Sequence, residues 1–167
     1  SITNNYVNAQ WVGIQIYNGS NYYVAGNQID GTRSIGIDFN NSENTLIENN
    51  FLYPIRDRGI YNIGIDQNAQ ILNNTIEYQL GEQCYIEAII ANHSLIEGNL
   101  IKAIDENSSW DNYSLISGQG NNVINNQLYF IAVLHDWEER AAIYSNGDHS
   151  IIEGNYIEYG RDDEMNA

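Results

Sequence analysis

Proton transfer near neutrality calls for a group that titrates there, and His135 stands in a charged stretch with Asp136, Glu138 and Arg140 close behind it. Two carboxylates elsewhere, Asp38 and Glu87, are the other candidates for acid-base work. The amide of Asn62 together with Glu87 offers the oxygen ligands that calcium takes. Arg56, Arg58 and Arg140 can fork onto a carboxylate. Trp110 and Trp137, with Tyr53, Tyr78, Tyr85 and Tyr129, supply flat apolar faces beside polar groups, which is what a sugar ring requires. The set points to polysaccharide. It requires no cofactor, and calcium is the metal it would suit. Cys84 is alone in the chain and reads as a packing residue, with no histidine or asparagine tied to it.

What must position these side chains is a repeat. A six-residue figure of aliphatic, any, Gly or Asn, Asn, any, aliphatic occurs at Ile2–Val7, Val24–Ile29, Ile47–Leu52, Ile71–Ile76, Ile96–Ile101, Val123–Leu128 and Ile152–Ile157. Its fixed residues Asn5, Asn27, Asn50, Asn74, Asn99, Asn126 and Asn155 lie 22, 23, 24, 25, 27 and 29 residues apart. A period in the twenties is that of a solenoid.

The two aliphatics are five apart, an odd offset that a continuous strand would send to opposite faces, so the chain must bend between them. The bend calls for a left-handed residue. The expectation is that the fixed Asn adopts it, with Gly before it relieving crowding. Stacked Asn side chains would then exchange amide hydrogen bonds up the column. On this reading Asn74→Ala both breaks the ladder and strains the turn, whereas Asn68, outside every copy, is insensitive.

This pattern resembles the right-handed parallel β-helices of the pectate-lyase type over essentially the whole chain. The fold class is therefore all-β, a single-domain right-handed parallel β-helix of about seven coils with an asparagine ladder. Residues 1–167 read as one domain, an excerpt of a longer protein with uncapped coil ends, open to end-to-end assembly. The resemblance implies a polysaccharide groove on the first sheet, the one entered from the long connections. The segment from Gly147 to Ile157 is similar to coils of the alginate and chondroitin lyases of this fold, in which Asn and Glu hold calcium against a uronate. Asn62 and Glu87 would stand in for those ligands. The lysine of those lyases has no counterpart, and the Asn-Thr-Asp, Gly-His-Gly and Arg-Ile-Lys signatures of polygalacturonases are absent.

Counting thirteen residues back from each ladder Asn gives the first-sheet inward column Ile14, Ile37, Tyr61, Ile86, Tyr113 and Ala142. Its outward neighbours are Gln15, Asp38, Asn62, Glu87, Ser114 and Ile143, with Ala141 and Ile143 as the alternative inward pair in the last repeat. The connections before this strand lengthen along the chain: 30–33, 53–58, 77–84, 102–112 and 129–140. Enlargement of one corner marks a binding face. Asp38 and Glu87 would be two coils apart, about 9–10 Å, at the top of the ~6.5–9.5 Å window of an inverting glycosidase pair. His93 and His149 precede second-sheet strands, and no role is assigned to them.

A formal charge of −16 repels nucleic acid and anionic membranes, and no stretch is apolar enough to cross a bilayer. The expectation is an extracellular or cell-surface domain that acts on or binds polysaccharide. The alternative is a non-catalytic structural, adhesin or filament-forming solenoid.

Overall fold

The computed structural model describes residues 1–64, 68–79, 86–105, 113–132, 141–147 and 149–160. These form a β-solenoid of parallel strands, with no helix among the described residues. Three sheets run the length of the column. The second sheet stacks seven strands from Ile2–Thr3 to Ile151–Glu153, and the third stacks seven from Tyr6–Asn8 to Tyr156–Gly160. The first sheet holds six, from Val12–Gln15 to Ile143–Asn146, so there are fewer complete three-strand coils than copies of the figure.

The figure bends where the sequence requires it, between the second and third sheets. Ile47 and Leu52, Ile71 and Ile76, and Ile96 and Ile101 are fully buried on its two sides, each pair turned into one interior. Ile37, Ile60 and Ile89 close the core from the first sheet. Each such side chain removed from water contributes about 1.5–3 kcal/mol, and stacking repeats that gain at every level.

The left-handed residue is not the ladder Asn. It is the one before: Asn4, Gly26, Asn49, Asn73, Gly98, Asn125 and Gly154 have φ of 56°, 64°, 54°, 54°, 67°, 54° and 66°. The Gly-or-Asn position is thus explained by backbone conformation, since those residues tolerate positive φ. The Asn after it is selected by hydrogen bonding. A second column of left-handed residues lies six positions before the ladder, at Asn21, Asn44, Asn68, His93, Gly120 and His149, with φ of 59°, 51°, 68°, 51°, 61° and 71°. It turns the chain into the second sheet. Asn68, His93 and His149 therefore share a structural role, and Asn68, expected to be insensitive, occupies a turn position of its own.

The first-sheet register also differs from a constant count of thirteen. Ile14, Ile37, Ile60, Ile89, Ile116 and Ile143 align inward, and Gln15, Asp38, Tyr61, Ile90, Ser117 and Tyr144 align beside them. The first two positions of each expected column hold; Tyr61, Asn62, Ile86, Glu87, Tyr113, Ser114 and Ala142 do not, and in the last repeat the alternative with Ile143 inward holds. The corner between first and second sheets varies, from thirteen positions, Ile14 to Asn27, through fourteen, Ile60 to Asn74, to ten, Ile89 to Asn99, so a fixed count drifts. The opposite corner takes up the difference, from seven positions between Val7 and Ile14 to fifteen between Leu128 and Ile143. Close packing limits side-chain size on the first strand: a Cβ on Gly36 would stand 2.5 Å from Leu52 Cδ2 and 2.7 Å from Gly59 O.

The two roles at the bend can be separated by unfolding. Asn74→Ala strips the acceptor from the backbone N–H and amide of Asn50 and the donor from Ile47 O, at about 1–3 kcal/mol for each buried group left unpaired. Asn73→Ala costs only its left-handed strain, about 1–2 kcal/mol, and Asn73→Gly is close to native. Denaturant midpoints should rank native and Asn73→Gly together, then Asn73→Ala, then Asn74→Ala. An Asn73→Ala midpoint as low as that of Asn74→Ala would contradict the assignment.

Candidate functional site

The enlarged corner brings together Asp57, Arg58 and Glu87. Arg58 opens its first-sheet strand and pairs in register with Glu87 on the next coil. Its Nε donates to Glu87 Oε2 at 2.9 Å, and its guanidinium carbon lies 4.6 Å from the centroid of the Tyr61 ring on the same strand. The geometry follows from the parallel ladder, which places side chains of equal register one strand spacing apart, about 4.8 Å. Both partners of the ion pair keep 31% side-chain exposure, so the pair orders the corner more than it stabilises the fold.

Asp57, just ahead of Arg58, behaves differently. Its Oδ1 is buried and accepts no hydrogen bond. Burial raises its carboxyl pKa, the Arg58 charge partly opposes the rise, and the Glu87 charge adds to it. Its main-chain carbonyl accepts from Tyr78 Oη at 3.2 Å and from the Glu87 backbone N–H at 3.3 Å. Tyr78 is buried, and desolvation pushes its phenol well above the ordinary range, with the charges of Asp57 and Glu87 adding to the shift. For Arg58, burial works against the charge, but the hydrogen bond to Glu87 and the fields of Asp57 and Glu87 outweigh it and hold the guanidinium further up. Two neighbouring carboxyls in opposed surroundings, one desolvated and one bound by a cation, are suited to proton donor and proton acceptor roles.

The structure distributes the other expected site residues as follows. Asp38 is nearly inaccessible and saturated: Tyr17 Oη donates to it at 2.7 Å and Gln15 Nε2 at 3.2 Å, and Asn40 Nδ2 binds its second oxygen. That bond to Asp38 is the main reason the Tyr17 phenol is raised. Asp38 lies two strands and three register positions from Glu87, about 14 Å at ordinary strand spacing and rise, which removes them as a catalytic pair. Asn62 is fully buried; Nδ2 donates to Phe39 O at 3.3 Å and Oδ1 accepts from Gly64 N–H at 2.6 Å. It aligns with Ala91, four residues beyond Glu87, again about 14 Å away, so the two cannot share a calcium ion whose ligands lie within about 5 Å of each other. Among the described residues no group of three or more His, Cys, Asp or Glu is placed to hold a metal.

Arg56 is exposed beside the cluster. His135, Arg140, Trp110 and Trp137 lie outside the described residues, as do Cys84 and Tyr85. Tyr53 and Tyr129 belong to third-sheet strands, Phe51–Ile55 and Gln127–Ala132, rather than to loops. Asp57 went unremarked between two named arginines; its signal was position alone, a carboxylate in the two-residue step from the strand ending at Ile55 to the first-sheet strand opening at Arg58. A recess of about 280 Å³ lies over the opposite corner, lined in part by Asn68, His93, Leu95 and Asn122. Comparison with protein-family models, curated proteins and solved structures finds no match for this chain.

Asp57 gives a signed pH dependence. Because its folded pKa lies above its unfolded value, stability falls as pH rises from the ordinary carboxylate range through the raised value and is level beyond it. Asp57→Asn does not titrate, so its stability relative to native should climb across that window, by on the order of 0.5 kcal/mol for a half-exposed, screened group. Thermal unfolding of both proteins from pH 3 to pH 8 measures it. A difference that does not change with pH, or one that falls, would overturn the assignment.

Proposed function

We propose that the chain is an extracellular polysaccharide-acting domain, related in architecture to the pectate-lyase type of parallel β-helix. In this reading the first sheet and its enlarged corner receive the glycan. One observation carries it: the desolvated Asp57 carboxyl stands next to Glu87, fixed at 2.9 Å by Arg58, where the solenoid lengthens its connections. Asp57, protonated to higher pH than an ordinary carboxylate, gives its proton to the glycosidic oxygen as the bond to the anomeric carbon breaks. Glu87 takes a proton from the water that forms the new bond to that carbon. Arg58 orients Glu87, and the exposed Arg56 is available to a substrate carboxylate.

A second reading, a non-catalytic structural, adhesin or filament-forming solenoid, is favoured by Ile152 and Ile157, about half exposed at 52% and 49% in the last described coil, an apolar surface that assembly would cover.

The test is incubation with a panel of uronate-containing and neutral polysaccharides, following new reducing ends and absorbance of unsaturated product. Asp57→Asn and Glu87→Gln should each lower turnover by about 10²–10⁴-fold with folding retained. Turnover unaffected by both substitutions would remove the catalytic assignment. No product and no retention on any glycan would favour the structural reading.

A further inference from the structure

The third sheet presents a different face, about 29 Å tall over its seven strands. Its strands alternate around the ladder bend, and only Phe51–Ile55 breaks the alternation, after Tyr53. Val7, Ile29, Leu52, Ile76, Ile101 and Leu128 point into the core, and the residues on either side point out. One outward row reads Tyr6, Gln28, Phe51, Thr75, Leu100, Gln127 and Tyr156. Beside it run Asp30, Glu77, Lys102, Tyr129 and Glu158. Tyr53 stands beyond Phe51 on the same strand, where the register shifts.

This face is aromatic where an ordinary solvated sheet would be polar. Tyr6, Phe51, Tyr53 and Tyr156 are 62%, 37%, 41% and 53% exposed, and Phe51 has no polar atom to justify its contact with water. The rings are held in place. Phe51 and Tyr53 stack at 6.3 Å between centroids with 29° between planes, and Tyr129 and Tyr156 meet at 5.7 Å. Tyr6 Oη donates to Asp30 at 2.9 Å and Tyr156 Oη to Glu158 at 3.0 Å. Rings fixed before binding lose little freedom when a ligand covers them.

The charges select the ligand. Asp30, Glu77 and Glu158 are acidic, and Lys102 is bound to Glu77 at 2.9 Å, so no cation on this face among the described residues is left to receive an anion. Carboxylates accept hydroxyl hydrogen bonds and repel polyanions. We infer that the outer face of the third sheet is a second glycan surface, which takes an uncharged, extended polysaccharide along the solenoid axis with sugar rings against Phe51, Tyr53, Tyr129 and Tyr156. It is a different face from the Asp57 corner and stands without the catalytic reading.

Depletion from solution by insoluble cellulose, chitin and xylan, beside calcium pectate and alginate gels, tests this. The protein should bind at least one neutral polymer and neither polyuronate through this face. Phe51→Ala with Tyr53→Ala should weaken binding tenfold or more, while Phe51→Trp keeps it and the unfolding temperature stays near native. Absence of binding to every neutral polymer, or equal binding by the folded double variant, overturns the inference. So does sedimentation showing a native dimer that the double variant splits, since the face would then belong to a second copy.

Discussion

The bond on which the structure depends is the side-chain amide of one Asn to that of the next. Each buried ladder Asn presents Oδ1 to both the backbone N–H and the Nδ2 of the Asn one coil earlier, at 2.9–3.0 Å, as Asn74 does toward Asn50. Its own Nδ2 donates onward to Asn99 and back to Ile47 O. The bend interrupts the strand ladder and exposes backbone groups inside the column, where each would be costly if left unpaired. The amide has the donors and acceptor to close that account, and a carboxylate or hydroxyl does not. Near the opposite bend Asn121 performs a local version, accepting from Ser94 N–H at 2.9 Å and donating to Ala91 O at 2.7 Å.

Pinning one corner at fixed length leaves the others free. At the bend the second and third sheets keep one register from coil to coil because the ladder holds them; the one shift in the third sheet lies beyond it, after Leu52. Changes in chain length are therefore expelled into the connections on either side of the first sheet. This is why the candidate site forms there: Arg58 and Glu87 are brought level by strand pairing, while Asp57 sits in the irregular backbone ahead of the strand, half out of water with one oxygen unpaired. A regular strand position would have left that carboxyl solvated or hydrogen-bonded.

Stacking identical coils would also stack identical charges about 4.8 Å apart, a hazard for a chain of net charge −16. The second-sheet outer column avoids it by alternation. Glu48, Leu72, Glu97, Ile124 and Glu153 follow one another, so like charges occupy every other level, about 10 Å apart and near the screening length of physiological salt. On the third sheet Lys102 beside Glu77 does the same by pairing.

The sequence by itself determined the solenoid, the ladder and the corner that enlarges, because these rest on a local rule repeated in every copy: two aliphatics at an odd offset need a bend, and an Asn there needs a neighbour like itself. It put the left-handed conformation one residue too late, on the ladder Asn, because Asn tolerates positive φ as readily as the Gly or Asn before it; the backbone decided between the two. The second turn column was hidden because Asn, His and Gly satisfy the same positive φ, so no single letter repeats. The first-sheet register, and with it the fates of Asp38, Asn62 and Glu87, was decided by tertiary structure alone. Two corners of varying length compensate each other, and only the pairing of strands shows where each coil has placed its residues. Burial completed the choice, saturating Asp38 and Asn62 and leaving Asp57 the desolvated carboxyl at the corner.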